Sequence, residues 1–386
     1  MTVTGRPAQQ FVQPWLVSRN WDLTFLIFSS VLFFAPYLVY VVLGGDPFAR
    51  ADQPGTPAYQ ARVVVNLLVA VLVGGPHMYA TFTRTVFDPE FRQKRSAFLL
   101  SSLFIPLMVI ILATGSYESY VWLLTLFFGL ASLHALQQIA WLTDAYTLKV
   151  RGTVTLRDRL VDYGLIFSSL YPLALAKMVN GQFWIGPVNL KVNDIFYGQY
   201  WVAYLAGIVF AAFFAAFIGR TVREYREGIL NVPKTLLILI TATIMFFAPA
   251  LPNLDTAFQG INVWHSFQYL ALTWLANRLR EEATGRPAIP LGPVSARSVG
   301  WVRFYAFCLG MLPVSGLLIL AAGLLWPGLH CPGGQCLPGA DEAYTYIGIL
   351  SVLLVHYFHD GVLFTEPHAI IAERAVGGTR TAPEAA

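Results

Sequence analysis

Long apolar segments alternate with short polar breaks along most of the chain. Ten such segments lie near residues 22–44, 63–83, 96–114, 120–147, 158–179, 199–219, 233–252, 256–278, 301–326 and 343–365. A helical run of roughly 20 apolar residues matches the thickness of the hydrocarbon core of a bilayer. A helix also satisfies its own backbone hydrogen bonds, as lipid requires. The pattern therefore predicts an all-α fold, a polytopic integral membrane bundle of about ten transmembrane helices.

The composition agrees with this pattern. Of the 386 residues, 56% are hydrophobic and only 12% are charged, whereas soluble domains have about 25% charged residues. The predicted organisation is a polar N-terminal segment (1–21), a transmembrane domain (22–366) and a short disordered tail (367–386). The basic residues are spread over the loops and form no single patch, so the formal charge of +4 does not indicate nucleic-acid binding.

The charges of the loops predict the orientation of the bundle. If the N-terminus is inside, all but four of the 25 Lys and Arg residues fall on the cytoplasmic side, and the four are Arg50, Arg62, Lys177 and Lys191. Lys and Arg are enriched in cytoplasmic loops. Both termini are therefore predicted to be cytoplasmic. The predicted location is the plasma membrane (the inner membrane of a bacterium), and the protein is expected to interact with its lipid bilayer.

Five of the seven histidines lie inside predicted spans that run in the same direction, at similar depths. His77 is in the second span, His134 in the fourth, His265 in the eighth, and His356 and His359 are in the tenth. Polar side chains are costly in hydrocarbon unless they are paired, and neutral imidazole is the commonest metal ligand. Residues three apart share one face of a helix. The sequence therefore predicts a buried metal site with these five histidines as ligands.

A short motif accompanies two of these histidines. His-x-x-Gln occurs at His134 with Gln137 and at His265 with Gln268, and Asp360 lies in the tenth span. Such side chains can accept an imidazole proton or bind a metal-bound water, so Gln137, Gln268 and Asp360 are the candidate catalytic residues. The competing interpretation of the glutamines is hydrogen bonding between helices, which is common in membranes.

The residue types around the histidines indicate the kind of metal. No cysteine is near, which disfavours a thiolate site or an iron–sulfur cluster. Nitrogen-rich ligation with little carboxylate suits non-haem iron, zinc or copper. The membrane location and the aromatic residues near the histidines suit an apolar, lipid-like substrate, so the predicted cofactor is non-haem iron, mononuclear or dinuclear, with zinc, copper and haem b as alternatives. Several helix-borne histidines around one iron are similar to the arrangement expected for retinal-forming membrane dioxygenases. This similarity concerns architecture alone, and the His-x-x-His-His box typical of membrane desaturases and hydroxylases does not occur.

Three functions are compatible with these features. The first is a metal-dependent oxidoreductase, an iron oxygenase or oxidase that acts on a lipid-like small molecule (fatty-acyl, isoprenoid or quinone-like) and that can require a redox partner. The second is a membrane electron-transfer protein in which histidine pairs ligate haem b. The third is a proton- or ion-coupled transporter whose path is lined by the histidines.

The remaining candidate feature is a cysteine pair in the loop before the tenth span. Cys331 and Cys336 flank the sequence Pro-Gly-Gly-Gln on the predicted outer side. Disulfides form in oxidising compartments, so we expect a disulfide here. A small surface metal site that includes His330 is the alternative.

Overall fold

The structure is a computed structural model that describes residues 14–48, 55–296 and 298–364. The predicted disordered tail, 367–386, and residues 1–13 of the predicted N-terminal segment lie outside this range. Within the range, the secondary structure is almost entirely helical, as the apolar pattern predicts.

The helices of the bundle coincide with the predicted segments. They are α1 (Arg19–Val42), α2 (Pro57–Thr83), α3 (Ser96–Gly115), α4 (Tyr117–Arg151), α5 (Leu156–Ser169 and Tyr171–Val179), α6 (Tyr200–Arg226), α7 (Val232–Ala250), α8 (Leu254–Thr284), α9 (Gly300–Leu325) and α10 (Ala343–Leu363). Within the described ranges, 8 of them are long and apolar enough to cross a membrane. The all-α membrane bundle is therefore confirmed. The two other segments, α5 and α8, are helical where predicted, and the total of ten spans and the orientation stay predictions.

Several of these helices are interrupted. Breaks divide α3 into Ser96–Ser101 and Phe104–Gly115, and α9 into Gly300–Gly310 and Pro313–Leu325. In α2, a wide π-helical turn (Ala70–Gly74) precedes Gly75–Ala80, and a 3₁₀ turn (Thr81–Thr83) follows. Pro76 has no N–H to donate to the preceding turn, and π-helical turns are frequent at functional sites. The irregular part of α2 is therefore the part that carries His77.

Short elements connect the helices. A helix at Pro89–Lys94 follows α2, and an antiparallel hairpin of β1 (Trp184–Ile185) and β2 (Val188–Asn189) follows α5. Another short helix spans Val192–Phe196, and a 3₁₀ turn spans Pro332–Gly334. Cys331 and Cys336 on either side of that turn form the predicted disulfide.

The helix α8 is the central element of the bundle. It packs against α1, α2, α4, α7 and α9, whereas α10 packs against α2, α3, α4 and α9. Close approach of α8 to α1 requires a small residue, because a Cβ on Gly260 would lie 2.2 Å from the carbonyl oxygen of Phe33. As a result, α8 and α10 each contact both α2 and α4, and these four helices carry the predicted site.

Charged side chains are paired at the end of the bundle that the sequence places in the cytoplasm. Arg159 binds Asp144 at 2.8 Å, and Lys234 lies 3.2 Å from Asp162. These carboxylates therefore stabilise the junction of α4, α5 and α7 and lie apart from the histidines.

Candidate metal centre

Four of the five predicted histidines meet inside the bundle. One ring nitrogen from each of His77, His134, His265 and His356 lies within 4.8 Å of those of the others, and all four side chains are buried. With metal–nitrogen distances of 2.0–2.1 Å, two nitrogens on opposite sides of one ion are about 4.2 Å apart. The four nitrogens therefore have nearly the spacing of a site for a single ion.

The four imidazoles form a closed ring of neighbours. Ring centroids are 4.3 Å apart for His77 and His356, 4.9 Å for His356 and His134, 4.8 Å for His134 and His265, and 5.1 Å for His265 and His77. Each ring is steeply inclined to the next. This arrangement follows from the packing of α8 and α10 between α2 and α4.

The imidazole nitrogens at the centre have no hydrogen-bond partner among the described residues. Nε2 of His77, His134 and His356 and both ring nitrogens of His265 are buried without a hydrogen bond to any described residue. A buried polar atom without a partner costs about 1–3 kcal/mol. Such atoms are rare singly, and here they occur on four helices at one point. A bound cation would give every one of these rings a partner.

Backbone geometry fixes the ring of His77. Its Nδ1 lies 2.9 Å from the carbonyl oxygen of Gly74 in the irregular part of α2. A carbonyl only accepts hydrogen bonds, so Nδ1 carries the proton and Nε2 presents its lone pair. A hydrogen bond to the outer nitrogen is the usual way in which a metal-binding histidine is oriented.

A polar network orients His356 in the same manner. Its Nδ1 contacts the hydroxyl of Thr81, which in turn donates to Oδ1 of Asp360 at 3.0 Å. Tyr269 donates to the same carboxylate oxygen at 2.7 Å. Because the Thr81 proton is directed to Asp360, the Thr81 oxygen can accept the proton of Nδ1. Nε2 of His356 is then the free ligand atom.

The carboxylate of Asp360 lies beside the centre. Its Oδ2 is 3.7 Å from Nε2 of His134 and 3.7 Å from Nδ1 of His356, and it is buried without a hydrogen bond in the described structure. A buried carboxylate without a counter-charge is strongly destabilising. A cation held by the histidines would supply that charge.

The structure does not bring His359 into this group. Its Nδ1 lies 3.1 Å from Oγ1 of Thr85, and its ring packs against Phe82 and Phe98. Residues three apart differ by about 60° around a helix. That rotation places the ring of His359 beside a different part of the bundle from the ring of His356.

Gln268, one of the two candidate glutamines, makes hydrogen bonds between helices. Gln268 donates to the carbonyl oxygen of Leu26 in α1, and its Oε1 accepts from Nε2 of Gln138 at 3.0 Å. Gln137 is half-buried on α4 and has no hydrogen bond to the histidines among the described residues. Catalytic roles for Gln137 and Gln268 stay predictions, and the contacts of Gln268 join α8 to α1 and α4.

The sequence holds a signal that identifies the network residues. Each of the four clustered histidines is followed, four positions later, by a polar residue on the same helical face: Thr81, Gln138, Tyr269 and Asp360. The three-residue spacing of the His-x-x-Gln motif does not select Thr81, Tyr269 or Gln138.

Comparisons of the chain with models of protein families, with curated proteins and with solved structures find no match. Function is therefore argued from the site. Four imidazoles with an adjacent carboxylate are a donor set for a borderline transition metal such as iron, zinc or copper.

Proposed function

We propose that this protein is a membrane-embedded metalloenzyme, a non-haem iron oxygenase or oxidase that acts on a lipid-like substrate. The observation that carries the proposal is the set of four buried imidazoles whose unpaired nitrogens lie within 4.8 Å of one another. A purely structural histidine would have both ring nitrogens paired or exposed, because unpaired burial is costly.

The surroundings of the site favour iron over zinc. Zinc enzymes mostly act as Lewis acids on carbonyl or phosphoryl groups, and these are scarce in the apolar chains that lipid delivers to mid-membrane. Iron can activate dioxygen for reaction with such chains. Dioxygen, together with electrons from a redox partner where the reaction needs them, would be the co-reactants.

The protein's own residues would hold, orient and shield the ion. The four histidines are the ligands, while Asp360, Thr81 and Tyr269 keep the ring of His356 in place. The ring of Tyr357 stacks on His134 with centroids 4.2 Å apart. This packing would help to keep water from an open coordination position.

Metal analysis of purified protein tests the proposal. We expect close to one iron per chain in the wild type, and a loss of nearly all of it in His356→Ala, because this change removes a ligand and adds no clash. His359→Ala is the matched control on the same helix, and we expect it to retain the metal. The measurements are elemental analysis and the absorption spectrum in detergent, with the elution volume as the check on folding.

Three results would contradict the proposal. Wild-type metal content in a folded His356→Ala variant would show that the four histidines do not form the metal site. Zinc or copper at full occupancy in protein that is produced with ample iron would keep the site and overturn the assignment to iron. A strong Soret band would instead indicate haem.

A further inference from the structure

The segment that follows α2 is held against the last turns of α8. Nδ2 of Asn277 donates to Oγ1 of Thr83 at 2.6 Å, and a guanidinium nitrogen of Arg280 lies 2.9 Å from Oδ2 of Asp88. Asn277 and Arg280 are three residues apart and share one face of α8. Arg84, the residue after Thr83, is thereby brought within electrostatic reach of Arg280.

The guanidinium of Arg84 has no partner in the described structure. It makes no hydrogen bond or ion pair with a described residue, and its Nη1 is enclosed by the protein. Burial lowers the pKa of Arg84, the neighbouring guanidinium of Arg280 lowers it further, and the carboxylate of Asp88 opposes both effects. A charge that is largely removed from water and has no partner costs stability. The described side chains therefore leave the charge of Arg84 uncompensated.

The acidic side chains nearby are already occupied. Residues 83–94 and 277–284 contain five basic and four acidic side chains. Each of the four acidic side chains has a partner in a hydrogen bond or ion pair, and they are Asp88, Glu90, Glu281 and Glu282. Asp88 in particular is shared between Arg280 and the backbone N–H groups of Glu90 and Phe91. These two segments therefore have a surplus of one positive charge, and the guanidinium of Arg84 is the enclosed one without a partner.

The other nitrogens of the two guanidinium groups are open to a ligand. Arg84 is half-buried, and Nη1 is its one enclosed guanidinium nitrogen. The side chain of Arg280 is 14% exposed, and its enclosed nitrogen is the Nη1 that faces Asp88. Nε and Nη2 of both residues make no hydrogen bond in the described structure and are not enclosed, so they lie at the surface. Val86, two residues after Arg84, is an exposed apolar side chain of the same surface.

These features match the phosphate group of a lipid. The fork of N–H groups on a guanidinium fits the oxygens of a phosphate, and a surplus of one positive charge equals the single negative charge of a phosphodiester. Arg84 comes directly after the last residue of α2, where a spanning helix leaves the hydrocarbon and reaches the headgroups of the bilayer. Basic pockets between helices on the cytoplasmic side of membrane proteins bind such headgroups.

We propose that Arg84 and Arg280 form a binding site for a phosphate group, which an anionic phospholipid of the adjacent leaflet supplies. The phosphate accepts hydrogen bonds from the open nitrogens of both residues and offsets the repulsion between their charges. The site contains none of the candidate metal ligands, so it goes beyond the proposed function and does not depend on it. The bound lipid holds the end of α2 against α8, the helices that carry His77 and His265.

The test is thermal unfolding of full-length protein in a neutral detergent, with phosphatidylglycerol, phosphatidylcholine, oleate or inorganic phosphate added. The dependence of the unfolding midpoint on the concentration of each additive gives its apparent affinity. We expect phosphatidylglycerol to bind about tenfold tighter than phosphatidylcholine, whose choline group cancels the charge of its phosphate, because charge-assisted hydrogen bonds are the stronger ones.

Variants of three arginines locate the site. Arg84→Gln and Arg280→Gln should each weaken the binding of phosphatidylglycerol about tenfold, as the loss of one charge-assisted hydrogen bond does. Arg92→Gln is the matched control, because Arg92 is an exposed arginine of the segment that follows α2, and it should bind as the wild type does. Without lipid, Arg84→Gln should unfold at or above the wild-type midpoint, because the change removes an enclosed charge that Arg280 repels.

Equal affinity of the wild type for the two phospholipids would overturn the inference, and so would tighter binding of oleate or undiminished binding by Arg84→Gln. A midpoint of Arg84→Gln far below that of the wild type without lipid would assign this arginine a purely structural role. Stabilisation by inorganic phosphate equal to that by phosphatidylglycerol would overturn the lipid as the source of the phosphate. The same assay on His356→Ala should give wild-type affinity, which separates failure of this site from failure of the metal centre.

Discussion

The two oxygens of Asp360 have different surroundings. Oδ1 accepts hydrogen bonds from Tyr269 and Thr81, while Oδ2 is buried beside His134 and His356 with no hydrogen bond to a described residue. The first oxygen holds the carboxylate in position, and the second directs its charge at the centre. Asp360 is thus placed to orient the ring of His356, and its second oxygen would balance part of the charge of a cation bound by the histidines.

Replacing Asp360 with Asn tests this role. The change keeps the size of the side chain and removes its charge, so we expect metal affinity to fall about 10- to 100-fold, as for other residues that orient metal ligands. Competition with a chelator measures the affinity. Asp194→Asn, at an exposed position, is the control. An unchanged affinity in Asp360→Asn would show that the carboxylate does not act on the ion.

Among the helices, the close contact of α8 with α1 depends on Gly260. The carbonyl of Phe33 occupies the space that any side chain at this position would need. Small residues at such crossings allow helix backbones to approach in membranes. The position of His265 on α8 therefore depends on a contact with a helix that carries none of the four clustered histidines.

We expect Gly260→Ala to destabilise the protein by about 1–3 kcal/mol, the usual range for overpacking. The midpoint of thermal unfolding in detergent should fall accordingly. Gly207→Ala in α6 is the matched control, because no atom lies within 4 Å of its added Cβ. Equal midpoints for the two variants would mean that α1 and α8 can separate without loss.

The sequence predicts the positions of the helices better than their rotation. Apolar runs locate α1 to α10, and counting along them gives the depth at which His77 and His265 lie. Depth does not determine which way a ring faces, so depth alone does not separate His359 from His356, whose ring joins the group of four. The π-helical turn in α2 lies directly before Pro76 and His77 and has no signal in the apolar pattern.

At the scale of the whole molecule, one ion-pair network connects three of the four histidine-bearing helices. Arg62 of α2 binds Asp255 of α8 and Glu342, the residue before α10. All three helices are thereby joined at the end distant from their histidines. Ion pairs hold the three helices together at that end, and contacts between the clustered histidines hold them together further along.

Removal of the Arg62 guanidinium should destabilise the whole bundle. We expect Arg62→Met to destabilise the protein by about 3–5 kcal/mol, because the carboxylates of Asp255 and Glu342 would lose their buried counter-charge. Lys94→Met, which breaks an exposed pair with Glu90, should have little effect. Unfolding midpoints in detergent measure both. A stable Arg62→Met variant would show that the two carboxyl groups take up protons when Arg62 is absent.

The Cys331–Cys336 disulfide allows the orientation of membrane insertion to be measured. A thiol pair closes only on a side of the membrane where thiols are oxidised, so a molecule inserted backwards would keep both sulfurs reduced. Alkylation of intact cells with a mass-tagged maleimide, before and after a reductant, would then reveal the fraction of misinserted copies. The redox state of this disulfide therefore reports the orientation in which each molecule was inserted into the bilayer.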